Sequence, residues 1–263
     1  MFQLLKKIFA RGEPHGAAFL PEGTRVYAVG DIHGRLDLFE SMIARIEADD
    51  AAAPPAETHV VLLGDLVDRG ADSAGVIDRA RRWQGERRVR ILTGNHEEMF
   101  LRSMEEVEVL RHFLRHGGRE TVLSYGVARE EFAAATLEEA QDIMRRVVPP
   151  ADIEFIRGFD DMLRMGDYLF VHAGIEPGVP LEEQTSRNMR WIREPFLSCE
   201  DPHGVVVVHG HTIRDQPEDQ GNRIGIDTGA FRSGRLTALV LEGGSRRYLT
   251  VEDDRVAPTE LAA

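Results

Sequence analysis

Brief, largely apolar runs at 26–29, 60–63, 89–92, 169–171 and 205–208 are each followed by a polar turn that contains glycine. Runs this short read as buried strands of a layered α/β protein, whose ligand loops gather at the strands' carboxyl ends. Between the first two runs, Leu36, Phe39, Ile43 and Ile46 recur at helical spacing, and an Ala/Pro linker follows at 51–56. A strand, helix and strand in that order make a βαβ unit. A second helix is predicted over 73–83, before the third strand. From 98 to 165 the sequence turns charge-rich and helical, interrupted at Gly117-Gly118 and Pro149-Pro150. It reads as a helical insert beside the site. Further strands are predicted at 223–226, 236–241 and 247–251. The pattern predicts an α/β β-sandwich of mixed sheets flanked by helices, with residues 1–20 as an amino-terminal segment, 21–251 as the domain, 99–165 as its helical insert and 252–263 as a flexible tail.

The polar turns carry the chemistry. They read Gly30-Asp31-Ile32-His33-Gly34, Gly64-Asp65-Leu66-Val67-Asp68-Arg69-Gly70, Gly94-Asn95-His96-Glu97, His172-Ala173-Gly174 and Gly210-His211-Thr212. One Asp or Asn beside a glycine is an ordinary turn. Five such turns in order, each after a strand and each offering a carboxylate, imidazole or amide, converge on a metal-dependent phosphoester site. Asp65 can bridge two cations, because the two oxygens of one carboxylate can hold ions about 3.5 to 4 Å apart. An oxygen and imidazole shell without thiolate suits Mn²⁺, Fe or Zn²⁺.

Composition narrows the partners. With 32 basic and 45 acidic residues the formal charge is −13, so the chain lacks the footprint of a nonspecific nucleic-acid binder. It must also overcome its own field to bind a phosphate ester, which makes cations and local arginines necessary. Cys199 is the only cysteine, which excludes a disulfide framework within one chain and fits a reducing cytoplasm. Residues 1–11 alternate apolar and basic positions. A short segment packing on the domain or fraying is expected there, in preference to a helix on a membrane surface. No apolar run approaches the ~18 residues of a membrane span.

The order and wording of the turns resemble the phosphoprotein phosphatase branch of the calcineurin-like metallophosphoesterases, especially its bacterial and phage members. The resemblance covers about 26–240 and includes Trp191-Ile192-Arg193 and Ile226-Asp227-Thr228-Gly229-Ala230. It implies the calcineurin-like fold and two divalent metal ions, manganese foremost. Asp31, His33 and Asp65 would hold the first ion; Asp65, Asn95, His172 and His211 would hold the second. Metal-bound hydroxide would attack phosphorus directly. Arg69 and Arg193 match the family's phosphate-holding arginines, His96 its general acid, and Asp68 the carboxylate that orients His96. The implied substrate is phosphoserine or phosphothreonine in a phosphoprotein or phosphopeptide.

The alternative substrate is diadenosine tetraphosphate, because His172-Ala173-Gly174 is shared with hydrolases of that compound in the same superfamily. Those enzymes lack the Asp of the DRG triplet and end the third motif in Asp, so Asp68 and Glu97 favour the phosphatase. Insert glutamates such as Glu105, Glu106, Glu108, Glu130, Glu131, Glu138 and Glu139 would also repel a long polyanion if they lined the cleft. Several neighbours carry smaller expectations. Glu97 is expected to bind loop amides, Asp227 to orient a ligand histidine or serve a turn, and His209 to sit in the core or behind a ligand. Thr212 is expected to cap its loop and Trp191 to pack so as to position Arg193. His112 and His116 are read as solvated or packing histidines rather than ligands.

Overall fold

A computed structural model describes residues 18–253. The first predicted strand, helix and strand appear as β1 (Thr24–Val29), α1 (Leu36–Ala52) and β2 (Glu57–Leu62). Helix α2 (Ser73–Glu86) and strand β3 (Val89–Ile91) follow. Along β1 the side chains alternate: Tyr27 and Val29 pack with Phe39, Met42 and Ile46 of α1 and Trp83 of α2. Val26 and Ala28 face the other way, against Tyr168, Phe170, Val208 and Ile224. Period-two alternation thus gives one strand two cores, and both faces of the sheet are covered.

The insert is built from α3 (Asn95–Ser103), α4 (Val107–Phe113), α5 (Arg119–Ser124), α6 (Arg129–Ala134), α7 (Leu137–Val147) and α8 (Pro150–Arg157). It has its own apolar core around Phe100, Leu110, Phe113, Val122 and Met144. Its predicted end at 165 is too late. The helices stop at Gly158, and β4 (Met162–Met165) pairs antiparallel with β5 (Tyr168–Val171). Exposure along β4 alternates, as on a half-covered edge strand, which mixed charge and apolar content had disguised.

After the short helix α9 (Ser186–Trp191) come β6 (Val206–His209), β7 (Glu218–Asp219) and β8 (Arg223–Gly225). Helix α10 (Ala230–Ser233), β9 (Arg235–Glu242) and β10 (Ser245–Glu252) complete the described chain. One sheet runs β10-β9-β1-β2-β3 and the other β4-β5-β6-β8-β7. The pairs β1·β2, β2·β3, β5·β6 and β6·β8 are parallel. The remaining pairs are antiparallel, which is the mixed α/β sandwich expected. All five ligand turns leave the carboxyl ends of these parallel strands.

The predicted tail begins at least two residues too early. Glu252 is in β10, and Asp253 donates its amide to Gly234 and pairs with Arg35 at 2.8 Å. At the other end Leu20 already donates to Gly243, so the chain joins the sandwich before 21. The expectations for residues 1–11, and for the tail beyond 253, lie outside the described residues. Among the described residues no helix is long and apolar enough to cross a membrane.

Candidate metal centre

Two groups of donors form around one carboxylate. His33, Asp65 and His96 place ligand atoms within 4.8 Å of one another, and so do Asp65, His172 and His211. Asp65 belongs to both, as the bridging expectation requires. Its Oδ2 lies 3.6 Å from His33 Nε2 and its Oδ1 3.4 Å from His172 Nε2. Asn95 Oδ1 is 3.0 Å from the same His172 nitrogen, which brings the amide to the second group. Asp31 is buried nearby but turned toward the His211 amide, which donates to both its oxygens at 3.2 and 3.1 Å. His96, expected only as the acid, stands among the donors of the first group.

The imidazoles are aimed by their far nitrogens. His33 Nδ1 meets the Val67 carbonyl at 2.8 Å and His172 Nδ1 meets that of Leu63 at 2.8 Å. A ring that donates Nδ1–H to a carbonyl presents an Nε2 lone pair, the state a metal ligand needs. His211 Nε2 is buried with no hydrogen-bond partner. Burial, with Asp227 and Asp65 adding repulsion, pushes the Asp31 carboxyl well above its usual range. Burial acts the same way on Asp65, but the four surrounding imidazoles outweigh it and keep that carboxyl ionised. Buried carboxylates that repel one another, faced by inward lone pairs and no thiol, fit divalent cations.

Local backbone strain marks the same place. The non-glycine residues with left-handed φ among the described residues are His33, Asp65, Asp68, Arg69 and His211, at 47°, 52°, 74°, 70° and 62°. All five are candidate site residues. Such conformations cost of order 1 kcal/mol or more each and persist where surrounding contacts over-determine them. Glu97 supplies much of that restraint. Its carboxylate, completely buried, accepts from the amides of Asp65 at 2.8 Å, Leu66 at 2.7 Å, Val67 at 3.3 Å and Gly94 at 2.9 Å. Burial and then the charge of Asp65 push its pKa up to about 7, while the amides pull the other way. The loop-amide role expected for Glu97 is what the geometry displays.

Glu97→Gln is therefore expected to destabilise the fold by about 2–4 kcal/mol, because an amide NH₂ would face two of those N–H donors. Urea unfolding of the variant tests this; an unchanged midpoint would remove Glu97 from its role as a pin.

Around the donors stand the groups expected to handle phosphate. Asp68 Oδ2 meets His96 Nδ1 at 2.5 Å, which turns Nε2 toward the centre. Burial disfavours charge on His96, but Asp65 and Asp68 outweigh it and raise its pKa. Asp68 is itself fixed by Thr121, whose hydroxyl donates to Oδ1 at 2.6 Å, and by Ser73, whose oxygen accepts from its amide at 3.0 Å. Arg69 donates to His33 Nε2 and His96 Nε2, each at 2.9 Å. Arg193 is exposed, and its charge acts on His172 and His211. The Met189 carbonyl at the end of α9 accepts from the Ala173 amide at 2.7 Å, tying the Arg193 segment to the fourth ligand loop.

The smaller expectations divide. Asp227 lies against Asp31 and accepts from the Gly229 amide at 2.9 Å, so it serves the turn and neighbours a carboxylate in place of the expected histidine. Burial pushes it up to about 6, with the charge of Asp65 adding. His209 is buried edge-on to Phe196 and belongs to neither donor group. Thr212 does not cap its loop, since its buried hydroxyl has no partner and no helix follows. Trp191 donates to Glu98 Oε2 at 3.2 Å, which anchors the residues before Arg193. His112 and His116 are exposed and stack with centroids 4.0 Å apart, outside both donor groups.

Sequence reasoning missed Thr121, Ser73 and Phe231. The Phe231 ring lies under the Arg69 guanidinium at 4.6 Å and edge-on to His33 at 5.3 Å. Its position directly after Ile226–Ala230 was an available signal. Thr121 is 53 residues from Asp68 and had none.

Comparison with known proteins agrees with this geometry. The signature of the calcineurin-like phosphoesterase family matches residues 24–225. The chain belongs to that family. As a member it is a metallophosphoesterase, and the His and Asp groups above have the spacing to hold a metal ion. It is 24% identical over 234 residues to the asymmetrical bis(5'-nucleosyl)-tetraphosphatase PrpE of Anoxybacillus flavithermus, covering 80% of this chain and 88% of the relative. A symmetrical bis(5'-nucleosyl)-tetraphosphatase of Acidovorax is 31% identical over 158 residues, but the match spans 60% of this chain and 47% of that one. A crystal structure described provisionally as that of a diadenosine tetraphosphatase superposes with a TM-score of 0.62 at 20% identity, covering 90% and 96% of the two chains. These relatives carry the name of the alternative substrate and not that of the phosphoprotein expected first.

Proposed function

We propose that this metallophosphoesterase hydrolyses dinucleoside polyphosphates. The observation that carries the reading is the nearly whole-length similarity to a bis(5'-nucleosyl)-tetraphosphatase, 88% of whose length is matched. The electrostatic objection to such a substrate is weakened by the insert's own pairing. Glu106, Glu108, Glu131 and Glu105 are engaged by Arg102, Arg111, Arg146 and Arg157, and Glu139 caps α7 through Thr136.

Two divalent cations held by Asp31, His33, Asp65, Asn95, His172 and His211 would supply the positive charge and Lewis acidity that make water a nucleophile near neutral pH. Arg69 and Arg193 hold phosphoryl oxygens; a guanidinium offers two donors in one plane. When phosphoryl oxygens take the donors of Arg69, His96 Nε2 is freed to face the departing oxygen. Water oxygen joins phosphorus, the bond from phosphorus to the leaving oxygen breaks, and His96 Nε2 donates the proton that oxygen receives. Asp68 keeps the imidazole in the orientation and charge state for that transfer.

A second reading, a phosphoserine or phosphothreonine phosphatase, is favoured by the Asp68–His96 pair, because a basic alkoxide needs a strong proton donor more than a phosphate leaving group does. Turnover of diadenosine tetraphosphate and of a phosphopeptide panel, side by side with Mn²⁺, discriminates the two. The expected result is a higher kcat/KM for diadenosine tetraphosphate; a higher value for any phosphopeptide would replace the first reading with the second.

A further inference from the structure

The insert meets the catalytic centre at the kinked turn Leu114–Gly118 between α4 and α5. Gly117, with φ of 105°, accepts a hydrogen bond from the Arg69 amide at 3.0 Å through its carbonyl. A Cβ there would stand 2.6 Å from Arg69 Cγ, so only glycine lets the turn pack on that arginine. Arg69 in turn bonds His96, and the charge of His96 is felt at His112, alongside those of His116 and Arg115. The turn therefore lies on the general-acid side of the centre.

Charge on this turn is unlike charge on the rest of the insert. Arg102, Arg111, Arg145, Arg146 and Arg157 each pair with a carboxylate. Among the described residues Arg115 and Arg119 form no ion pair, and Arg119 Nε is buried with no partner. Glu120, next in sequence, pairs with neither. Arg115 is also exposed, so an anion from outside can reach its guanidinium. Of the other insert arginines, Arg129 at the start of α6 is also without a carboxylate.

We propose that this turn is the subsite for the distal phosphates of the leaving nucleotide, with Arg115 and Arg119 as its cations and His116 beside them. The inference rests on the dinucleoside polyphosphate reading above. A general acid stands beside the departing oxygen, so the remainder of the leaving fragment extends past His96, and that is where the turn lies. A phosphomonoester has no second phosphate to place there. A polyphosphate brings its next phosphate a few ångströms from the bond that breaks, where a planar guanidinium binds it in two-pronged fashion.

The test compares kcat/KM on diadenosine tetraphosphate and p-nitrophenyl phosphate for the full chain with Mn²⁺, for Arg115→Ala, Arg119→Gln and the double variant. The ratio of the two is expected to fall about tenfold or more in the double variant, as loss of charge-assisted hydrogen bonds predicts. Arg129→Ala should keep the wild-type ratio. A wild type that cleaves diadenosine tetraphosphate while the double variant keeps its ratio overturns the subsite alone. A wild type that cleaves phosphopeptides and ignores diadenosine tetraphosphate overturns the reading of the function and the subsite together.

Discussion

Asp65→Asn is expected to lose activity by on the order of 10³-fold or more, together with bound metal, whereas Arg193→Ala keeps about two ions per chain and loses less. Both donor groups close on Asp65, one through each oxygen. The amide keeps the shape but replaces one oxygen with a nitrogen that has no lone pair to offer. It also removes the charge that four imidazoles hold ionised. Arg193 is exposed and outside the donor groups, and its proposed partner is phosphate and not the ions. Elemental analysis of both purified variants checks the assignment. Equal metal content in the two would count against Asp65 as the bridge.

His96→Asn is expected to sort substrates by leaving group. On a phosphoserine peptide, with its basic alkoxide, the loss should be about 10² to 10⁴, the usual worth of a general acid. On p-nitrophenyl phosphate, whose leaving group needs no proton, the loss should be small, with diadenosine tetraphosphate between them. The reason is geometric: Asp68 holds Nδ1 at 2.5 Å and so leaves Nε2 as the only proton carrier facing the centre. His96 also stands among the first donor group, so a competing role is available to it. Equal losses on all three substrates, with metal content reduced, would assign His96 to metal support instead.

Both predictions depend on a backbone that is costly to hold. Left-handed φ at Asp65, Asp68 and Arg69 is maintained by the Glu97 carboxylate beneath the loop and by the Gly117 carbonyl, Ser73 and Thr121 above it. The insert contributes Glu97, Gly117 and Thr121 to those restraints. It is therefore part of the active centre's scaffold, and the turn that supplies Gly117 is the one proposed to hold phosphate.

The sequence by itself determined the strands, the ligand loops at their carboxyl ends and the donors within them. Short apolar runs have one stable use in a layered protein, and a polar turn after a buried strand has one place to be. Metal-ligand chemistry needs particular residue types, and of the residues expected from their motifs His33, Asp65, His172 and His211 come together in the donor groups. What tertiary structure decided lies between segments distant in sequence. Thr121 reaches Asp68 across 53 positions with no local pattern to announce it, and Phe231 reaches Arg69 from α10. The end of the insert was misjudged for a related reason: Met162–Met165 becomes a strand because β5 offers it an edge, not because its own residues alternate clearly. The charge of the insert was legible as a sum, but its effect was not. Glu106 and Glu108 pair with arginines three or four positions away, whereas Glu105 and Glu131 meet Arg157 and Arg146 of other helices, so the packing of helices decides part of which charge finds a partner.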